Sequence, residues 1–452
     1  MKFLLLISVF NLLVKATPIT PIKQQIYINF ELIKSDIGLF YIENLNLGTP
    51  KQILNKVEID TGSSDFILAN DDYNPSKSSS VHNTFEIFTT SYGSISPFQF
   101  YKIYDTLSFK NFEIENYPVG FAQNVSSDYF GNFNGILGLG TGLLEAMEPS
   151  YSNFPRQLKE SGLIDYILFS IYAPVSGNNT ILFGGINSDV FHGPLIKIPI
   201  NFAIGQTSSF KKYNWSGITI NGIKIGDTVV SNENSYFEID TGATTFVPPD
   251  NIARNILQLL IDESKGDYLF QDNSDGGYYY FRRELVGDLW ITFNVQGYIL
   301  KFQIDDLLLN ETAGDSINQN GNTYCILDMM LGYQLGLNTN VQTIPNHVLK
   351  YSYIVWDYEQ FALYFADLID LNDKPDTKSI VEIRDNQWPI STTTAPDATN
   401  TYTSFYWASN DVSISGKYSL TVAGEENATS EPITTTTSSS SIATGGCYAI
   451  PT

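Results

Sequence analysis

The chain has 452 residues, 43% hydrophobic and 14% aromatic, which supplies a sizeable core and length for two or three domains. Its 25 Lys plus Arg stand against 48 Asp plus Glu, a formal net charge of -23 that repels phosphate backbones and anionic lipid surfaces and excludes nucleic-acid binding. Such an acidic surface suits an acidic workplace, where carboxylates become neutral and few basic groups remain to repel one another.

The chain opens with Lys2, a mostly apolar run over residues 3–14, and small residues up to Ala16 before Pro18. This predicts a secretory signal over residues 1–16, because the run is too short to span a bilayer and the cleavage site follows it. No later segment offers eighteen uninterrupted apolar residues, so no membrane span is expected. Five Asn-x-Ser/Thr acceptors, at Asn124, Asn178, Asn214, Asn310 and Asn427, fit a secreted glycoprotein. Residues 17–28 form a short pro-segment or N-terminal extension without a Lys-Arg processing site.

From about residue 29 to 383 the pattern is of short Val, Ile, Tyr, Phe and Thr runs separated by Gly, Asn, Asp and Pro, which predicts an all-β core. Two segments read as helices: one opening at Ser152-Asn153-Phe154-Pro155 and stopping at Gly162, and one opened by Pro248-Pro249 with Ile252, Ile256 and Leu259 or Leu260 on one face. Gly138-Leu139-Gly140-Thr141-Gly142 tempts a nucleotide reading, but its third glycine is misplaced for the dinucleotide fingerprint and no βαβ context surrounds it. Cys325 and Cys447, with the scattered His82, His192 and His347, supply no convincing metal site, so no metal or other cofactor is expected. From residue 384 the Ser/Thr-rich composition, with the run at 434–441, predicts a disordered tail over 384–452, and the final residues lack the hydrophobic end of a lipid-anchor signal.

One sequence occurs twice. Val57-Glu58-Ile59-Asp60-Thr61-Gly62-Ser63-Ser64-Asp65-Phe66 is echoed by Phe237-Glu238-Ile239-Asp240-Thr241-Gly242-Ala243-Thr244-Thr245-Phe246, with the two central aspartates 180 residues apart (240 − 60). A single Asp-Thr-Gly is an ordinary turn. Two in matching apolar context suit two copies of one β lobe, each lifting an aspartate to a shared interface. Two carboxyls one hydrogen bond apart share a proton, so the pair can activate a water while protonating a carbonyl oxygen, the two acts that peptide hydrolysis requires. Gly62 and Gly242 permit the tight turn, and Thr61 and Thr241 are placed to hydrogen-bond across the lobe boundary.

With these motifs the chain resembles the pepsin-type aspartic proteases over residues 29–370, and within them the secreted fungal branch of candidapepsins, yapsins and barrier-type proteases. The resemblance also rests on Leu47-Gly48-Thr49-Pro50, Tyr73-Asn74-Pro75-Ser76, Tyr92-Gly93, Asn134-Gly135-Ile136-Leu137-Gly138-Leu139-Gly140, Ile181-Leu182-Phe183-Gly184-Gly185 and the segment around Trp356-Asp357. It implies a bilobal fold of two related β-barrel-like lobes, 29–203 and 204–383, with an active-site cleft between them. Asp60 and Asp240 match the catalytic pair, Ser63 the hydroxyl that supports the first aspartate, Tyr92 and Gly93 the tip of a hairpin flap over the substrate, and 135–138 the loop behind Asp60. Several positions depart from the family pattern. Ile67 stands where a tryptophan usually steadies the flap tyrosine, and Ile95 where the flap usually has glycine. Ala243 removes a hydroxyl that would lower the pKa of Asp240, whereas Asn346 removes a negative charge that would raise it. Pro345 replaces a glycine beside the second aspartate, and the family's second-lobe disulfide is missing, because Cys325 has no partner upstream.

The expected protein is a secreted, monomeric aspartic endopeptidase that cleaves extended polypeptides at bulky apolar residues, with cell-wall association left open and no cofactor needed. The alternative is a catalytically weakened relative that binds peptides at the cell surface, motivated by Ile67, Ile95 and Pro345. A serine hydrolase is a poor third, for want of a Gly-x-Ser-x-Gly elbow.

Overall fold

The computed structural model describes residues 27–92, 97–147, 150–205, 213–271, 277–309, 316–330, 342–384, 387–397 and 444–445. The expected signal, most of the short extension after it, Gly93, Ile95 and Cys447 lie outside the described residues, and Cys325 is buried. Of the five Asn-x-Ser/Thr sites, Asn124 and Asn178 are exposed; Asn310, Asn427 and the side chain of Asn214 lie outside the description.

In chain order the strands of the N-terminal half that matter for the site are β1 (Ile28–Glu31), β2 (Phe40–Ile42), β3 (Val57–Asp60), β4 (Phe66–Ala69), β5 (His82–Tyr92), β6 (Phe98–Phe109), β7 (Phe112–Ala122) and β8 (Gly135–Gly138). Helix α1 (Phe154–Glu160) and strands β9 (Leu168–Tyr172), β10 (Thr180–Phe183) and β11 (Phe191–Pro199) complete that half. The C-terminal half contributes β12 (Tyr213–Ile220), β13 (Ser235–Asp240), α2 (Asp250–Glu263), β14 (Thr343–Pro345), β15 (Ser352–Asp357), β16 (Ala362–Leu368) and β17 (Thr392–Thr394). The all-β expectation agrees with this architecture.

An eleven-stranded sheet builds the N-terminal half, ten of its strands coming from that half and the eleventh, Thr444–Gly445, pairing in parallel with the end of β5. Within it β8 lies between β3, to which it is parallel, and β4, to which it is antiparallel. Residues 135–138, expected as a loop behind Asp60, are therefore a strand. The loop was what the resemblance implied; here a glycine in the strand is what close packing demands, because a Cβ on Gly138 would lie 2.4 Å from the Ser64 carbonyl carbon. In the C-terminal half β13 is flanked by β12 and β14 in a four-stranded sheet, and Thr343 of β14 is bridged antiparallel to Val247 on its other side. Beneath both runs a seven-stranded sheet in the order β1, β10, β9, β15, β16, β11, β17, so strands from the two halves hydrogen-bond into one support.

Both expected helices form. α1 carries its proline at the start, where no intrahelical N–H is needed, and the chain leaves it through Gly162 at φ 69°. α2 buries Ile252, Ala253, Ile256, Leu257 and Leu260 and leaves Leu259 at the rim, and each fully buried Ile or Leu contributes about 1.5–3 kcal/mol. Packing also continues past residue 384, where the tail was expected to begin. β17 pairs in parallel with β11, Trp388 stacks on Tyr364 at 4.3 Å, and Ala395 is buried. The threonines of β17 join through their backbone, which composition does not report.

Candidate active site

β3 and β13 end at Asp60 and Asp240, and both strands alternate. Val57, Ile59, Phe237 and Ile239 point into the main core, which turns Asp60 and Asp240 to the opposite face. The two turns that follow meet at the junction of the halves. Thr61 N–H donates to Thr241 Oγ1 at 3.0 Å and Thr241 N–H to Thr61 Oγ1 at 3.0 Å. Each hydroxyl in turn donates across the boundary, Thr61 to the Ile239 carbonyl at 2.8 Å and Thr241 to the Ile59 carbonyl at 2.9 Å. This closed set of four bonds is buried, so it fixes the turns relative to each other.

The aspartates are consequently forced together. Their carboxyls hydrogen-bond to each other, and both are almost wholly removed from solvent. Gly62 is required by this approach, because a Cβ there would lie 2.6 Å from Asp240 Oδ2. Gly62 N–H donates to Asp60 Oδ1 at 2.8 Å, and Gly242 N–H to Asp240 Oδ1 at 2.8 Å. Ser63 adds its hydroxyl to Asp60 Oδ2 at 2.5 Å, whereas the matching Ala243 offers only a buried methyl.

These surroundings separate the two carboxyls. Burial raises the pKa of Asp60, opposed by the donors Ser63, Asp240 and Gly62 that favour its charged form. Burial raises Asp240 well above the usual carboxylate range, reinforced by the charges of Asp60 and Glu238. The Ser63 hydroxyl, which has no counterpart at Ala243, favours the charged form at Asp60.

Tyr92 ends β5 and is buried in an apolar cluster with Leu39, Ile67, Phe98, Phe100 and Ile136. Its ring centre lies 6.0 Å from that of Phe98, so a neighbouring aromatic packs where Ile67 supplies no indole. Gly93, expected beside Tyr92 at the flap tip, lies outside the described residues. Pro345 occupies the place in β14 opposite Asp240 that Gly138 occupies in β8 opposite Asp60. Asn346 N–H donates to the Ala243 carbonyl at 3.0 Å, and its side-chain amide to the Gly38 carbonyl at 3.2 Å, tying the second turn to the first half.

Two groups escaped assignment from sequence. Asp328 accepts the hydroxyls of Thr244 at 3.1 Å and Thr245 at 2.5 Å, which buttresses the second turn, and no sequence signal marks it. Glu238 lies near the pair, and its signal was its recurrence with Glu58 in the repeat. No group of three or more His, Cys, Asp or Glu is placed to hold a metal ion among the described residues.

Comparison with known proteins bears on this arrangement. The family model described as eukaryotic aspartyl protease matches residues 40–368. A probable aspartic-type endopeptidase, opsB, of Aspergillus oryzae is 27% identical over 360 residues, covering 72% of this chain and 68% of its own length. An acid protease of Saccharomycopsis fibuligera is 28% identical over 341 residues, covering 72% of this chain and 80% of its own. Among solved structures, the aspartic proteinase from Irpex lacteus superposes with a TM-score of 0.59 at 19% identity, covering 77% of this chain and 100% of that one.

Proposed function

Because the chain belongs to the eukaryotic aspartyl protease family and is an aspartic-type endopeptidase, we propose that Asp60 and Asp240 are the hydrolytic pair acting on extended polypeptides. The observation that carries this reading is the mutual hydrogen bond of two buried carboxyls inside the closed Thr61–Thr241 set. Asp60, kept charged by Ser63 and Gly62, takes a proton from a water held between the carboxyls as that water attacks the scissile carbonyl carbon. Asp240 gives its proton to the carbonyl oxygen, leaving a neutral tetrahedral diol. The proton now on Asp60 passes to the amide nitrogen, the C–N bond breaks, and a diol hydroxyl returns its proton to Asp240. The cycle ends with one proton on the pair, as it began.

The aromatic cluster around Tyr92 supports a preference for a bulky apolar residue on the side of the cut that faces the N-terminal half. Tyr92, with Gly93, would close over the substrate and exclude water. The apolar start of the chain supports secretion, the curated relatives being fungal, and we take the enzyme to act as an extracellular monomer within the secreted fungal branch. Pro345, part of the case for a weakened peptide-binding relative, stands at φ −71°, the backbone conformation that the proline ring itself sets.

The test is cleavage of denatured casein or globin from pH 3 to 7 by the secreted chain, by Asp240→Asn, and in the presence of a statine-type mimic of the diol. Activity that vanishes in the variant and under the inhibitor is the expected result. No cleavage at any pH by folded wild type would favour the peptide-binding alternative.

A further inference from the structure

The repeat brings a second pair of acids to the site, and hydrolysis uses neither. Glu58 and Glu238 each precede an aspartate by two residues, so alternation along β3 and β13 turns them to the same face as Asp60 and Asp240. Both are buried, Glu58 at 1% and Glu238 at 5% exposure, a state glutamate adopts only when a partner offsets the lost hydration.

Their surroundings differ. Glu58 lies in one row with Tyr41 and Ile136, members of the apolar cluster that holds Tyr92. Beside Glu238, the antiparallel register of Ile218 with Phe237 brings Gly217, which has no side chain, and the parallel register of β14 brings Thr343. Neither neighbour is charged. Glu238 Oε1 is buried without a hydrogen-bond partner, and no ion pair reaches this carboxyl among the described residues. A buried carboxyl oxygen without a partner loses hydration that no contact among the described residues replaces. A bound ligand can. The nearby acids are not grouped as metal ligands, so the chemistry that fits is a single ammonium or guanidinium head.

We propose that Glu238 is a specificity-determining residue that receives a lysine or arginine side chain of the substrate, beside the scissile bond on the side facing the C-terminal half. The inference rests on the reading of Asp60 and Asp240 as the hydrolytic pair. Residues i and i+2 of a strand are about 7 Å apart, so a peptide whose carbonyl sits at the pair places an adjacent side chain within reach of Glu238. The long apolar stem of lysine passes the cleft wall, and its head meets the carboxyl. With the Tyr92 cluster opposite, the preferred cut lies between one bulky apolar and one basic residue.

The experiment uses the full chain, with the concentration of active enzyme fixed by titration with a statine inhibitor. Two peptide series carry lysine or norleucine on one or the other side of the cut, and kcat/KM is measured for wild type, Glu238→Gln and Glu238→Asp. Wild type is expected to favour lysine about tenfold or more on one side, mainly through KM. Glu238→Gln, which keeps the volume, brings that ratio to one or below, and Glu238→Asp, which keeps the charge, retains part of it. Wild type that cleaves norleucine as well as lysine on both sides, or Glu238→Gln with the wild-type ratio, overturns the inference while the hydrolytic pair stands. If the folded chain cleaves no peptide and binds no statine, the reading of the pair and this inference fall together.

Discussion

Asp60 and Asp240 end equivalent strands, yet their supports differ. Around Asp60 the half supplies the Ser63 hydroxyl, the Gly62 amide and an interior strand, β8, whose Gly138 N–H donates to the Asp65 carbonyl and whose neighbour Leu139 donates to the Asp60 carbonyl. Around Asp240 the Gly242 amide is retained, but the other positions hold a methyl at Ala243 and, in β14, a proline with no N–H to give. The halves share a backbone plan, enforced by the Thr61–Thr241 bonds, and diverge in the donors they aim at the carboxylates. A symmetric pair would share its proton evenly; the Ser63 hydroxyl, unmatched in the second half, favours the charge at Asp60.

The largest expected effect tests how far the backbone plan is shared. Gly138→Ala places a methyl 2.4 Å from the Ser64 carbonyl carbon and 2.6 Å from the Asp65 nitrogen, both backbone atoms that cannot step aside. The equivalent position opposite Asp240 already carries the ring of Pro345. Gly138→Ala should cost about 3 kcal/mol or more, seen as lost secretion or a collapsed urea midpoint. A mild effect would mean that β3, β8 and β4 are looser than their contacts imply.

Next comes Ser63→Ala, which makes the first half resemble the second. Its hydroxyl favours the charged form of Asp60, and removing a hydrogen bond to a charged group costs about 1.5–3 kcal/mol, hence roughly tenfold or more in kcat/KM. The pKa of Asp60 is already raised by burial; without the hydroxyl it rises further, so the acid limb of the pH–rate profile should move to higher pH. An unmoved acid limb would show that Ser63 is not what keeps Asp60 charged.

How much of this the sequence discloses follows from what each feature depends on. The aspartates, threonines and glycines of the repeat were legible because their chemistry needs those residue types at that spacing, and the structure brings them together. Pro345 was misleading as a mark of a distorted site, because its backbone stands at φ −71°, the value the proline ring itself sets, a fact that the triplet Ile344-Pro345-Asn346 does not carry. The strand at 135–138 was hidden for the opposite reason, since its glycines serve a packing contact with a segment some seventy residues earlier. Glu238 was visible in the repeat, but its isolation depends on Gly217 and Thr343, which only register brings beside it.

A smaller change runs the comparison in reverse. Ala243→Ser restores a hydroxyl to the second half and should stabilise charged Asp240. Its pKa, raised by burial and by the charges of Asp60 and Glu238, then falls, and the basic limb of the pH–rate profile should move down by about one unit. A serine at 243 that left the basic limb in place would argue that the proton lost there belongs to another group than Asp240.

Pro345→Gly should have the smallest effect. At φ −71° the residue occupies backbone space open to any amino acid, so its ring relieves no strain. Its nitrogen has no hydrogen to give where Gly138 N–H donates to the Asp65 carbonyl in the other half, so no hydrogen bond is lost when glycine takes its place. What glycine changes is the unfolded chain, which gains freedom at this position, so the variant should lose only about 0.5–1 kcal/mol, with both limbs of the pH–rate profile in place. Urea unfolding and a pH–rate profile on the same preparation separate the two quantities. A moved limb without lost stability would mean that the ring shapes the field at Asp240, and that the halves diverge through backbone as well as donors. An unmoved limb leaves Ala243 and Ser63 as the main source of the asymmetry, a difference of one hydroxyl between two turns otherwise held alike.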